Sequence, residues 1–160
     1  MSDIVEVSTT MAVAPDHVYD MVSDVTRMGE WSPECTGGEW LGTATGARPG
    51  ARFRGKNENG PKRWQTVCTV LVAEPGQELA WESRVFGRPV ALWRYRFAPG
   101  GDGTTVVTES TQDRRGAIFR ALGSKVSGVS DRRTHNADSM RVTLERLKVA
   151  AEVRAPDPEP

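Results

Sequence analysis

Ala91-Leu92-Trp93-Arg94-Tyr95-Arg96-Phe97 is the stretch that decides the fold. Ala91, Trp93, Tyr95 and Phe97 share one face of an extended chain, and Leu92, Arg94 and Arg96 take the other. A strand with one dry and one wet side belongs to an antiparallel sheet. The same period of two groups Trp64, Thr66, Cys68, Val70 and Val72 on a second run, and Leu79, Trp81, Ser83 and Val85 on a third.

Turn chemistry separates these runs. Asn57-Glu58-Asn59-Gly60-Pro61, Glu74-Pro75-Gly76, Phe86-Gly87-Arg88-Pro89 and Pro99-Gly100-Gly101-Asp102-Gly103 divide strands expected over 51–57, 62–73, 78–86, 90–98 and 104–112. Connections this short suit sequential hairpins, since parallel crossovers need a dozen residues or more. Upstream, Val5, Val7, Thr9, Met11 and Val13 alternate with more polar neighbours and make a first strand. Pro15 opens a short helix, where its missing N–H costs nothing, and Asp16 complements the helix dipole. Val18, Met21, Val22 and Val25 give that helix an apolar stripe.

Downstream the period changes. Ala137, Met140, Leu144, Leu147 and Ala151 recur every three or four residues, so one long helix covers the dry face of the sheet. Arg114 to Val129 carries Ile118, Phe119 and Leu122 on a helical stripe, read as a short helix and then a loop because Gly123 and Gly128 interrupt it. Residues 153–160, with Pro156, Pro158 and Pro160, read as a disordered tail. The pattern predicts an α+β domain over residues 1–152.

Composition narrows the function classes. A chain of 160 residues with 38% hydrophobic and 26% charged residues is globular in character, and it has no apolar run long enough to span a bilayer. Stable membrane insertion is not expected. Lys plus Arg equals Asp plus Glu at 21 each, so no global field collects nucleic acid. The N-terminus lacks a basic segment followed by an apolar one, which makes the cytoplasm the expected compartment. There Cys35 and Cys68 are expected as free thiols.

Several further stretches carry a resemblance: Val13-Ala14-Pro15-Asp16-His17-Val18-Tyr19 with Ser23-Asp24, Met28-Gly29-Glu30-Trp31-Ser32-Pro33-Glu34-Cys35, Gly50-Ala51-Arg52-Phe53-Arg54-Gly55, and Met140 to Lys148. Together with the order of strand, short helix, six further strands and long C-terminal helix, they resemble the START-like (SRPBCC, helix-grip) superfamily. The likeness is to its polyketide cyclase/dehydrase branch, in an actinobacterial-type form. It implies a curved antiparallel sheet of about seven strands wrapped around the last helix, with short helices after the first strand. It also implies a cavity between sheet and helix that takes lipids, sterols, hormones or polyketides.

The inward residues fit such a cavity. Trp64, Trp81 and Trp93 supply apolar walls, each with one N–H to satisfy, although tryptophans also fill ordinary cores. Thr66, Ser83, Tyr95, Thr108, Ser110 and Asn57 are expected on the same faces, and apolar walls with a few polar groups are typical of ligand pockets. The expected ligand-binding set is Trp31, Phe53, Trp64, Thr66, Trp81, Ser83, Trp93, Tyr95, Thr108 and Met140. Catalytic candidates for orienting or protonating a carbonyl are His135, Tyr95 and Ser83. Asp131 and Asp138 could tune His135, which otherwise is a solvated helix-surface histidine. His17, Cys35, Cys68 and His135 have no metal-site spacing, and phosphate- and dinucleotide-binding glycine motifs are absent, so neither a metal nor a cofactor is expected.

Two basic features, Lys56, Lys62 and Arg63 beside Trp64, and Arg114 to Arg120, read as a solvated rim or as a contact for anionic lipid headgroups. Three functions remain open: binding of an apolar or amphipathic small molecule, polyketide cyclase/dehydrase catalysis in the same cavity, and a regulatory module with a vestigial cavity. A monomer and a homodimer are both compatible.

Overall fold

In a computed structural model, which describes residues 3–154, the segment Ala91 to Phe97 lies inside a seven-stranded antiparallel sheet. The strands are β1 (Ile4–Met11), β2 (Cys35–Trp40), β3 (Arg52–Asn59), β4 (Lys62–Glu74), β5 (Glu78–Val85), β6 (Arg88–Gly101) and β7 (Thr104–Asp113), in the spatial order β1-β7-β6-β5-β4-β3-β2. Each strand from β2 to β6 therefore pairs with its successor. β1 returns to the far edge, with Ile4 opposite Gln112 and Met11 opposite Thr105. Between β1 and β2 the chain forms α1 (Pro15–Ser23), a 3-10 turn (Val25–Arg27) and α2 (Met28–Trp31), and it ends in α3 (Ala117–Ser127) and α4 (Arg132–Arg154). This is the helix-grip α+β architecture.

The hairpin turns follow their residues. Asp102 and Gly103 both take positive φ (51° and 74°), the pair of left-handed conformations that matches a tight turn to the twist of its strands. β2 is a different case. Cys35-Thr36-Gly37-Gly38-Glu39-Trp40 has little apolar alternation, and its strand is set by pairing with β3 and by backbone contact with the helical segment before it. A Cβ on Gly29 would lie 2.3 Å from the Thr36 carbonyl oxygen, and one on Gly38 would lie 2.5 Å from that of Val25. Only glycine admits this approach.

Packing divides the long helix. Leu144, Leu147 and Ala151 are fully buried with Val18, Tyr19 and Val22 of α1 and with Met11, Phe97 and Val107 of the sheet. The first half of α4 instead presents Asn136, Ser139 and Thr143 inward beside Met140, and Thr143 returns its hydroxyl to the Ser139 carbonyl at 2.8 Å.

Five expectations need correction. A bulge between Val70 and Val72 reverses the pleat, so Ala73 and not Val72 packs on the core. Thr108 faces away from the core and bonds Ser8 across the strand pair at 2.8 Å. Ser110 shares that outer face, and the inward residues of β7 are Val107, Glu109, Thr111 and Asp113. α3 runs through Gly123 without a break and stops at Gly128, whose φ of 72° caps it. α4 extends through Arg154; the rest of the proline-rich tail lies outside the described residues.

The close approach at Gly38 predicts that Gly38→Ala lowers stability by about 1–3 kcal/mol, the usual cost of overpacking. Gly37→Ala, with open space around its Cβ, should stay within about 0.5 kcal/mol of the parent. Urea unfolding midpoints measure both, and equal losses would refute the backbone-contact explanation.

Candidate functional site

Between the inner face of the sheet and the first half of α4 lies a cavity of about 180 Å³, with α2 and α3 contributing to its walls. A single water needs only about 10–15 Å³ measured this way, so the space admits an organic molecule. Phe53, Trp64, Trp81 and Trp93 project from four consecutive strands, and Trp31 and Met140 come from α2 and α4. Every residue of the expected ligand-binding set lines the cavity except Thr108, whose strand phase is reversed.

One polar wall is internally satisfied. The Asn57 amide donates to the Thr66 hydroxyl at 3.4 Å, the Cys68 thiol to the same hydroxyl at 3.6 Å, and Cys68 Sγ lies 3.3 Å from Ser83 Oγ. Burial pushes the Cys68 thiol up to about 11, so it stays protonated and unreactive. Cys35 is also free, and its thiol too is raised by burial.

The opposite wall is not satisfied. Tyr95 lies opposite Glu109 across β6 and β7, and their side chains hydrogen-bond. Burial pushes the Glu109 carboxyl from 4.5 up to about 8, against the opposing pull of the Tyr95 hydroxyl. Burial raises Tyr95 as well, with the Glu109 charge next in importance. Glu109 Oε2 and Thr111 Oγ1 are buried without any hydrogen-bond partner. Sequence reasoning missed both, because a carboxylate among threonines and serines reads as an outward residue. Register transfer from Tyr95 and Trp93 to their β7 partners was the available signal.

The rim carries charge in pairs. Arg132 Nη1 donates to both oxygens of Glu34 at 2.8 and 2.9 Å, and its guanidinium lies 5.8 Å from the Trp64 ring centroid. His135 Nε2 lies 2.6 Å from Glu34 Oε2. The expected partners of His135 are engaged elsewhere, Asp131 capping the Thr134 N–H at 3.2 Å and Asp138 pairing with Arg141 at 2.8 Å. The imidazole is not part of the cavity lining; it reaches the site only through Glu34. Asp113 binds Arg115 at 2.7 Å, and these bonds outweigh burial to hold its carboxyl below the ordinary range. Arg120 and Arg63 are likewise paired, with Asp3 at 3.0 Å and Glu58 at 3.2 Å. Among the described residues, no group of three His, Cys, Asp or Glu side chains is placed to hold a metal, and no helix is long and apolar enough to cross a membrane.

The family model described as polyketide cyclase / dehydrase and lipid transport matches residues 3–152. The chain belongs to this family. A polyketide-cyclase-like protein of Corynebacterium glutamicum is 30% identical over 95% of this chain and 90% of its own, with a TM-score of 0.52. The di-domain ARO/CYC protein StfQ of the steffimycin biosynthetic pathway shares the fold at a TM-score of 0.72 and 15% identity. The match covers 96% of this chain and 52% of StfQ, so this family member spans about half of that protein. A Deinococcus radiodurans protein gives a TM-score of 0.67 at 18% identity, over 94% of this chain and 98% of its own. No curated protein matches the sequence.

Glu109 generates a pH prediction. Folded, it keeps its proton to about pH 8; unfolded, it releases it near 4.5. Between those values the folded state holds more protons, so this group's contribution to stability falls as pH rises, by about 1.4 kcal/mol per unit. Glu109→Gln removes the ionisation, and its stability relative to the parent should climb between about pH 5 and 8 and then level off. Urea midpoints of the two proteins across that range test this; a pH-independent difference would contradict it.

Proposed function

We propose that this protein binds an apolar or amphipathic small molecule, polyketide- or lipid-like, in the cavity between the sheet and α4. The observation that carries the reading is open space enclosed by aromatic rings from four consecutive strands, with polar groups placed inside it. Such walls suit a hydrophobic framework bearing a few oxygens. Family membership supports the same reading, since the family description spans cyclases, dehydrases and lipid transport.

Carriage is favoured over turnover by the state of the catalytic candidates. The Tyr95 hydroxyl is engaged by Glu109, Ser83 by Cys68, and His135 by Glu34 outside the lining. Open volume supports binding over a vestigial cavity. Two unpaired thiols favour a reducing compartment, and the cytoplasm is the setting we propose.

Mass spectrometry of freshly purified protein, under native and then denaturing conditions, should reveal a non-covalent passenger of about a few hundred daltons. No passenger, together with no binding of hydrophobic dyes, lipids or polyketides, would overturn the proposal. The pleat gives a sharper check. Trp93 lines the cavity, whereas Arg94 pairs with Glu78 at 2.8 Å on the other face. Trp93→Ala should weaken 1-anilinonaphthalene-8-sulfonate binding about tenfold, and Arg94→Ala should leave it within about twofold. Equal effects would contradict the site.

A further inference from the structure

We propose that Glu109 and Thr111 form a polar subsite within the cavity that holds a carbonyl oxygen of the ligand, accepting one hydrogen bond from the Glu109 carboxyl and one from the Thr111 hydroxyl. The inference rests on the binding reading above and narrows it to oxygenated ligands of ketone type.

Both residues point the same way from β7, two positions apart, which sets their Cα atoms roughly 6.6 Å apart along the strand. Both line the cavity, and they are only 4% and 3% exposed. Of the buried side-chain atoms left without a hydrogen-bond partner, Glu109 Oε2 and Thr111 Oγ1 are the two that belong to the cavity lining. A buried polar atom in that state costs about 1–3 kcal/mol, and native folds seldom leave two side by side. Thr105, buried on the same strand, shows the contrast: its hydroxyl donates to the Val13 carbonyl at 2.6 Å.

The chemistry of the pair selects the ligand atom. The Tyr95 hydroxyl occupies one side of the carboxyl, so the free oxygen is Oε2. An apolar surround favours the neutral acid, which makes Oε2 the bearer of the proton and a hydrogen-bond donor. Thr111 supplies a second donor. Two donors with no internal acceptor match an oxygen with two lone pairs, and Trp93, opposite Thr111 on β6, offers an apolar face for the carbon skeleton beside it. The other charged groups of the lining are spoken for: Asp113 with Arg115, and Glu34 with Arg132. None competes for the ligand oxygen from the facing elements.

A matched pair of probes tests the subsite. 2-Acetylnaphthalene and 2-ethylnaphthalene share a skeleton and differ by one carbonyl, and quenching of tryptophan fluorescence reads the binding of each. The ketone gives up more hydration on entry, so the informative quantity is the ratio of the two affinities, compared between parent and variants. Thr111→Val removes the donor at constant shape and should shift that ratio about tenfold toward the hydrocarbon, the loss of one hydrogen bond. Glu109→Met should do the same, whereas Glu109→Gln retains a donor and should hold the ratio within about threefold. If Glu109→Met does not fold, Thr111→Val decides alone. Both probes binding with an unchanged ratio in Thr111→Val would overturn the subsite and leave the binding reading intact. Failure of the parent to bind either probe would overturn both.

Discussion

A file of aromatic contacts crosses the inner face of the sheet, and the rest of the structure is arranged around it. Trp40 meets Phe53 edge-on at 5.7 Å, Phe53 meets Trp81 at 5.8 Å, and Trp81 stacks on Tyr95 at 5.9 Å. Tyr95 continues to Phe97 at 6.5 Å, and Phe97 meets Tyr19 of α1 at 5.7 Å. Each such pair adds about 0.5–1.5 kcal/mol beyond the area it buries. The file runs from the β2 edge to α1, so it ties strand positions that no single turn connects. Rings are broad and rigid, and they hold neighbouring elements apart as firmly as they hold them together.

That rigidity explains why one molecule has both a packed half and an open half. Where α4 brings Leu144, Leu147 and Ala151 to the sheet, small and medium aliphatic groups fill the space and exposure falls to near zero. Where it brings Asn136, Ser139 and Thr143, the facing strands carry tryptophans, and space remains. Stability resides in the first region. The second keeps polar atoms unpaired, at a cost the packed half offsets, and this division is what a binding protein requires.

Legibility in the sequence varied with the kind of signal. Strands whose two faces differ in polarity were plain: Ala91 to Phe97 and Leu79 to Val85 lie as their alternation predicts, and the four turns fall where glycine, proline and asparagine place them. β2 was not legible, because Gly38 within it and Gly29 of α2 serve close contacts with Val25 and Thr36 that only the folded backbone creates. Thr104 to Asp113 was legible as a strand but not in phase. Threonine, serine, glutamate and glutamine are polar on both faces of it, so the hydrophobic pattern had nothing to discriminate with.

The sequence by itself determined the element order, the hairpin succession and which faces of β5 and β6 turn inward, because local alternation and turn chemistry depend only on near neighbours in the chain. Only the tertiary structure decided that Glu109 and Thr111 face the cavity, that Val72 does not face the core, and that His135 answers to Glu34 and not to Asp131 or Asp138. The physical reason is common to all three. Strand phase is set by the partner strand's register and by bulges, and an ion pair by whatever the fold brings within reach. Both are relations between residues distant in the chain, and a period of two or four along one segment carries no record of them.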